Sequence, residues 1–530
     1  MSKRKQSFIQ GAMILLAAGL LNRLLGFVPR IALPRIIGSE GVGLIQLVYP
    51  FMIVILTVIT GGLPLAVAKL VAEADSRGKL RLVRRILRIA MGMSVAVSLA
   101  TAAACLAMAD WISTTIMTDP RVGTAFVTMI PALPLVAISS VWRGYFQGKQ
   151  NMIPTAISQT TESLVRIVLT LLLTTLLLPW GLHAAAAGAM AGLVMGELAG
   201  LLILWRQLRL DSRARASGDS GAASDPSSPL ADSVSPEEEK ALPRRLLGIA
   251  LPVTGSKLIG SLSYLLESIL TAKSLVAAGI AVAAATSLYG ELQGMVIPLL
   301  MLPGALTYSL AVSLVPALSD AAAQGDWAGI QKRLHQSMRL AVVTAAPFII
   351  LMALLAGPIC SLLYGNDSMA WMLRLLAPVA VFVYMQAPLQ AALQALNRPG
   401  TALVNTFAGA LVKLFLIVQL ASNPSLGIRG AIIAVAVNMV LVTLMHWFSV
   451  ARLTGFRLLP ADFLKVALAM LITGASALAI WNSAIPANDP LRLVAASFAA
   501  VAVYVLLLIW LKLIDRLDIQ RIPVLGRMFR

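Results

Sequence analysis

Residues 21–38, LNRLLGFVPRIALPRIIG, put three arginines, Arg23, Arg30 and Arg35, into a segment that is otherwise almost wholly apolar. In a soluble helix these arginines would share a polar face. Here Leu, Ile, Val, Phe and Ala surround them on every side, and similar apolar stretches recur along the chain. A helix crossing a bilayer core takes about 20 consecutive apolar residues. Fourteen stretches meet that length, among them 8–37, 44–70, 287–315 and 369–394. With 59% hydrophobic and 12% charged residues among 530, the chain is too apolar for a soluble protein of two or three domains. The pattern predicts an all-α polytopic membrane protein of about fourteen transmembrane helices.

The formal charge of +19 raises nucleic acid as a partner. That class is set aside, because no soluble-looking segment alternates basic and aromatic residues and no nucleic-acid motif occurs. Membrane topology accounts for the charge, since Lys and Arg concentrate in cytoplasmic loops. With the N-terminus inside, inside segments hold 30 of the 42 basic residues, while the outside loops hold Arg121, Arg429 and Arg492 and nine lie within spans. Both termini are thus expected in the cytoplasm. Lys3, Arg4 and Lys5 ahead of an apolar run resemble a signal peptide, but no A-x-A cleavage site precedes the arginines, so the run is expected to be a retained first helix.

Cys105 and Cys360 lie in or at the end of apolar runs and read as packing residues. His183, His335 and His446 are too far apart for a local ligand motif, so no metal is expected. Residues 206–245 include DSRARASGDSGAASDPSSPLADSVSPEEEK, a composition that cannot bury a core, and are expected to form a flexible cytoplasmic linker. The linker falls where a duplicated protein would be joined. SLVRIVLTLLL (163–173) resembles ALVKLFLIVQL (410–420), aligning Arg166 with Lys413. The expected organisation is an N-lobe at 1–205, the linker at 206–245, a C-lobe at 246–450, and two further helices with a basic tail at 451–530. Each repeat has an even number of spans, so the two halves share one orientation.

Ionisable residues at bilayer depth cost at least about 2.5–3.5 kcal/mol, so they usually face a cavity or a partner. Eight bases and four acids are candidates: Arg23, Arg30, Arg35, Lys69, Arg166, Lys257, Lys273 and Lys413, with Glu162, Glu197, Glu267 and Glu291. Lys69 and Lys273 sit near span ends and can snorkel to the interface. Arg23 and Arg30, seven residues apart, fall on one face of a helix at about 10 Å separation. Pro29, Pro34 and Gly26 predict a broken or hinged helix lining a pathway. A path with a surplus of bases favours anions, and guanidinium forks match phosphate oxygens. A bland alternative stays open, in which Arg23 pairs with a carboxylate such as Glu267. Glu162 and Arg166 have the i, i+4 spacing of a helix pair. Glu162, Glu197 and Glu267 could instead bind a coupling ion or proton.

LNRLLGFVPRIALPRIIGSEGVGLIQLVYP (21–50), GGLPLAVAKLVAEA (61–74) and YGELQGMVIPLLMLPGALTYSLAVSLVPALSDA (289–321) resemble the stage V sporulation protein B-like polysaccharide transporter family. It belongs to the multidrug/oligosaccharidyl-lipid/polysaccharide exporter superfamily, which includes the lipid II flippases. The resemblance implies two six-helix lobes forming a V around a cavity, two added C-terminal helices, and alternating access to a polyprenyl-diphosphate-linked saccharide. It implies a bacterial cytoplasmic membrane, the bilayer and the lipid-linked saccharide as partners, and cell-wall or polysaccharide synthesis enzymes nearby. It also implies that Arg23 and Arg30 engage the diphosphate, with Arg35 beside them and Lys257 on the opposing lobe. The lipid II flippases place their two arginines one residue closer and carry an arginine in the eighth helix. Residues 288–310 of this chain hold one charge, Glu291, which speaks for a lipid-linked anion without specifying lipid II.

Two other classes compete. A multidrug or cation antiporter of the same fold would rely on acidic cavity residues and twelve spans. A membrane enzyme would need clustered catalytic carboxylates or a sizeable aqueous domain, and no nucleotide-binding P-loop motif occurs. Neither an enzymatic activity nor a cofactor is expected.

Overall fold

The computed structural model describes residues 8–218, 236–458, 460–483 and 488–513, and no strand occurs among them. The lysine-rich start, the centre of the linker with Asp225, and the basic tail lie outside the described residues. Contact density divides the chain into two compact units, Met1–Gly290 and Glu291–Arg530.

The first unit is built from α1 (Phe8–Leu25), α2 (Phe27–Thr60), α3 (Leu63–Ser76), α4 (Leu80–Ala107), α5 (Val122–Met129), α6 (Ala132–Gly148), α7 (Ile153–Leu177), α8 (Leu182–Gly218), α9 (Pro236–Ala277) and α10 (Val282–Tyr289). Its core gathers Leu44 and Val48 of α2, Phe126 and Met129 of α5, Leu133 of α6, and Ala185 and Ala186 of α8, all fully buried. α9 packs on α2 and α3. α8 and α9 run as helix into both ends of the expected linker, as far as Gly218 and from Pro236. Pro236 suits the first helical position, and Glu, Lys, Ala, Leu and Arg behind it propagate the helix well.

The second unit contains α11 (Gly304–Ala323), α12 (Trp327–Leu354), α13 (Ala380–Ala395), α14 (Pro399–Leu416), α15 (Ile428–Thr454), α16 (Pro460–Trp481) and α17 (Asp489–Trp510). α13 is the hub, packing on α11, α12 and α15, and the α16/α17 hairpin adds to α12 through α16. Large apolar side chains such as Leu464, Phe498 and Trp510 point outward, as a lipid-facing surface requires.

Among the described residues, eleven helices are long and apolar enough to cross a membrane, or twelve when Ala370–Leu376 and α13, bent by 50°, count as one span. The difference from fourteen lies at two places. The first two expected spans form one run, Met13–Ser76, whose internal break at Gly38 (φ 66°) is one residue wide. The eighth is interrupted by π-helix at Gly290–Val296 and by a turn before α11, so 287–315 is not one continuous helix.

Candidate functional site

Pro29 determines where the first helix breaks. Its ring lacks an N–H and crowds the carbonyl four residues back, which is that of Leu25, the last residue of α1. Gly26 keeps helical torsions and donates to Asn22 O at 2.9 Å, so the chain turns only slightly between Arg23 in the last turn of α1 and Arg30 in the first turn of α2. The sharper break comes later, at Gly38, where a positive φ excludes most other residues. Arg23, Arg30 and Arg35 are all exposed, and Arg30 lies 5.6 Å from the Phe27 ring centre.

Packing of α2 on α9 gives Arg30 its surroundings. Arg30, Tyr49 and Glu267 all lie within electrostatic reach of Tyr264, and Glu267 is buried. Lys257 stands ten residues before Glu267, about 15 Å along the helix. Its ammonium donates to Gly61 O at 2.9 Å. Beside it, Gly62 N donates to Thr254 Oγ1 at 2.9 Å, and Arg245 meets Glu73 at 2.9 Å. The backbone groups freed between α2 and α3 are thus satisfied by α9.

A second cluster forms where α6, α7 and α8 meet. Arg143 reaches Glu162 Oε2 at 2.6 Å, and Arg166, one turn along α7, reaches Glu162 Oε1 at 3.3 Å. Glu197 of α8 is buried with its carboxyl group in hydrogen-bonding range of Glu162. Sequence reasoning missed Arg143, counting it among the cytoplasmic bases of 143–149. Its position inside the apolar Ala132–Gly148 stretch was the available signal.

The remaining candidates lie apart from these clusters. Lys69 is exposed on α3, and Lys273 donates to Thr115 O at 3.0 Å. In the second unit Glu291 is buried and accepts from Ser368 Oγ at 2.6 Å, and Lys413 is half-buried on α14. A polar knot escaped notice in the loop before α5. Arg121 holds Asp119 at 2.7 Å and Glu40 at 2.6 Å, and Thr286 of α10 donates to Asp119 at 3.0 Å. Burial would raise the Asp119 pKa, but hydrogen bonds from Arg121 and Thr286 outweigh it and hold the carboxyl below its ordinary range.

The chain matches the family described as Polysaccharide biosynthesis protein over residues 8–322. It is 39% identical to stage V sporulation protein B of Bacillus subtilis (strain 168), over 99% of both chains. It is 26% identical to lipid II flippase MurJ of the same organism, over 84% of this chain and 83% of that one. A solved structure of lipid II flippase MurJ in an inward closed conformation shares the fold, with a TM-score of 0.67 at 14% identity, covering 94% of this chain and 99% of the other.

Proposed function

Because this chain belongs to the polysaccharide biosynthesis protein family, we propose that it moves a polyprenyl-diphosphate-linked saccharide, a cell-wall or polysaccharide precursor of the lipid II kind, across the bacterial cytoplasmic membrane by alternating access. One observation carries the reading: Arg30 is an exposed guanidinium in a membrane-spanning run, neighboured by the tyrosines and buried carboxylate of α2 and α9. A diphosphate head offers such a cation a doubly charged, fork-shaped partner, and the polyprenyl tail stays in lipid. Arg23 and Arg35 extend the basic path on either side. Lys257 joins the site when it leaves Gly61.

The moving bodies are the lobes 1–205 and 246–450, linked by 206–245, with the helices of 451–530 appended. Movement parts α9 from α2 and α3, breaking the Lys257–Gly61 and Arg245–Glu73 contacts. Both termini and the linker face the cytoplasm, where synthesis enzymes supply the substrate.

Binding of a short-chain polyprenyl diphosphate to purified protein tests this reading. Losing a charge-assisted hydrogen bond of about 1.5–3 kcal/mol weakens binding about ten- to a hundred-fold. Arg30→Ala is expected to lose that much, and Arg30→Lys, which keeps the charge without the fork, part of it. The same holds for Arg23→Ala. If an arginine merely neutralises Glu267, adding Glu267→Gln to its alanine variant restores binding, and the phosphate reading fails.

A further inference from the structure

We propose that Glu162 and Glu197 form a proton-binding site in which the two carboxyl groups share one exchangeable proton. α8 carries Gly188, Gly192, Gly196 and Gly200 at intervals of four, a small-residue face that lets helices approach closely in lipid. A Cβ added at Gly196 would lie 2.6 Å from Arg166 Cβ and 2.9 Å from Glu162 O, and one at Gly188 would lie 2.7 Å from Leu173 O. The α7/α8 seam is therefore closed at backbone distance. It holds the backbone that carries Glu197 against the backbone that carries Glu162.

Two carboxylates in hydrogen-bonding range have no hydrogen between them unless one is protonated. Glu197 Oε2 is enclosed and has no donor, and only 8% of Glu197 is exposed. Both oxygens of Glu162 are already engaged by guanidinium groups. A metal ion would need several oxygen ligands and would sit beside two positive charges, whereas a proton needs one lone pair. The other charged groups facing the pair are Arg143 of α6 and Arg166 of α7. α2, which also packs on α8, carries Arg30, Arg35 and Glu40, α1 on α7 carries Arg23, and α5 carries no charge. Arg143 Nε has no partner either, so Arg143 is the group that can swing to Glu197 when the proton leaves. The cluster alternates between net charge +1 with the proton and zero without it. On the transporter reading, from which this role follows, that alternation couples transport to a pH gradient.

Infrared difference spectroscopy of the full chain in lipid vesicles reads the site without any substrate. A protonated carboxyl band at neutral pH, where an ordinary Glu with pKa about 4.3 is ionised, is expected in the unaltered protein. It should vanish in Glu197→Gln and persist, displaced, in Glu197→Asp. Absence of any neutral-pH band removable by Glu197→Gln overturns the proposal. Proteoliposomes supply the second readout: a pH gradient should change the rate of lipid-diphosphate movement in the unaltered protein and leave the Glu197→Gln rate unchanged. A band with transport that ignores the gradient overturns the coupling. A band with no transport at all upholds the proton site and overturns the transporter reading instead.

Discussion

Substituting alanine at Gly196 tests whether the α7/α8 seam is as tight as its geometry implies. The new Cβ would stand 2.6 Å from Arg166 Cβ, against 3.4 Å for ordinary contact, so the helices must part by about 0.8 Å. Overpacking of this kind costs about 1–3 kcal/mol. Alanine in place of glycine inside a helix returns about 0.5–1 kcal/mol. Gly92 of α4, where an added Cβ would meet nothing within 4 Å, isolates that gain. Gly92→Ala should stabilise the protein, and Gly196→Ala should fall about 1–3 kcal/mol below it. Reversible unfolding in mixed micelles by titration with dodecyl sulfate measures both variants against the parent. Equal stability of the two variants would refute the close seam, and with it the argument that the two carboxylates are held together.

Three further outcomes are expected. Asp119→Asn should destabilise the protein at neutral pH by about 1.5–3 kcal/mol, the worth of hydrogen bonds to a charged group. Because the folded pKa of Asp119 is depressed, its contribution is present above the unfolded value of about 3.9 and is lost as pH falls through the lower folded value, so parent and variant should converge in acid unfolding curves. An impermeant thiol reagent should fail to label Asp225→Cys in intact cells and should label it in inverted vesicles; Cys105 and Cys360 are buried and give little background. Bridging Glu73→Cys to Arg245→Cys with a short cleavable reagent should stop lipid movement, and cleavage should restore it; continued movement while bridged would exclude parting of α9 from α3.

The helical membrane class was legible because apolar runs of spanning length need no tertiary information. Breaks were less so. Pro29 announced the end of α1 through its missing donor, whereas the interruption at Gly290–Val296 has no proline at its start and depends on how the segment packs. At the charged sites, the Glu162–Arg166 pair follows from helix spacing alone. Arg143 joins it from another helix, and Lys257 turns to a carbonyl exposed where α2 gives way to α3. Both contacts are set by which helices pack together, which single-chain periodicity does not encode. The Asp119–Arg121–Glu40 knot was hidden for the same reason, since its members lie in the loop before α5 and 81 positions away.

Transport of a lipid-linked diphosphate is read directly as transbilayer movement in proteoliposomes. Vesicles holding the purified chain and a fluorescent polyprenyl-diphosphate saccharide should expose the inner-leaflet probe to an external quencher faster than protein-free vesicles, while a zwitterionic lipid carrying the same fluorophore should stay put. Arg30→Ala should bring the rate down toward that of protein-free vesicles. Equal movement of both lipids, or an undiminished rate in Arg30→Ala, would contradict the account.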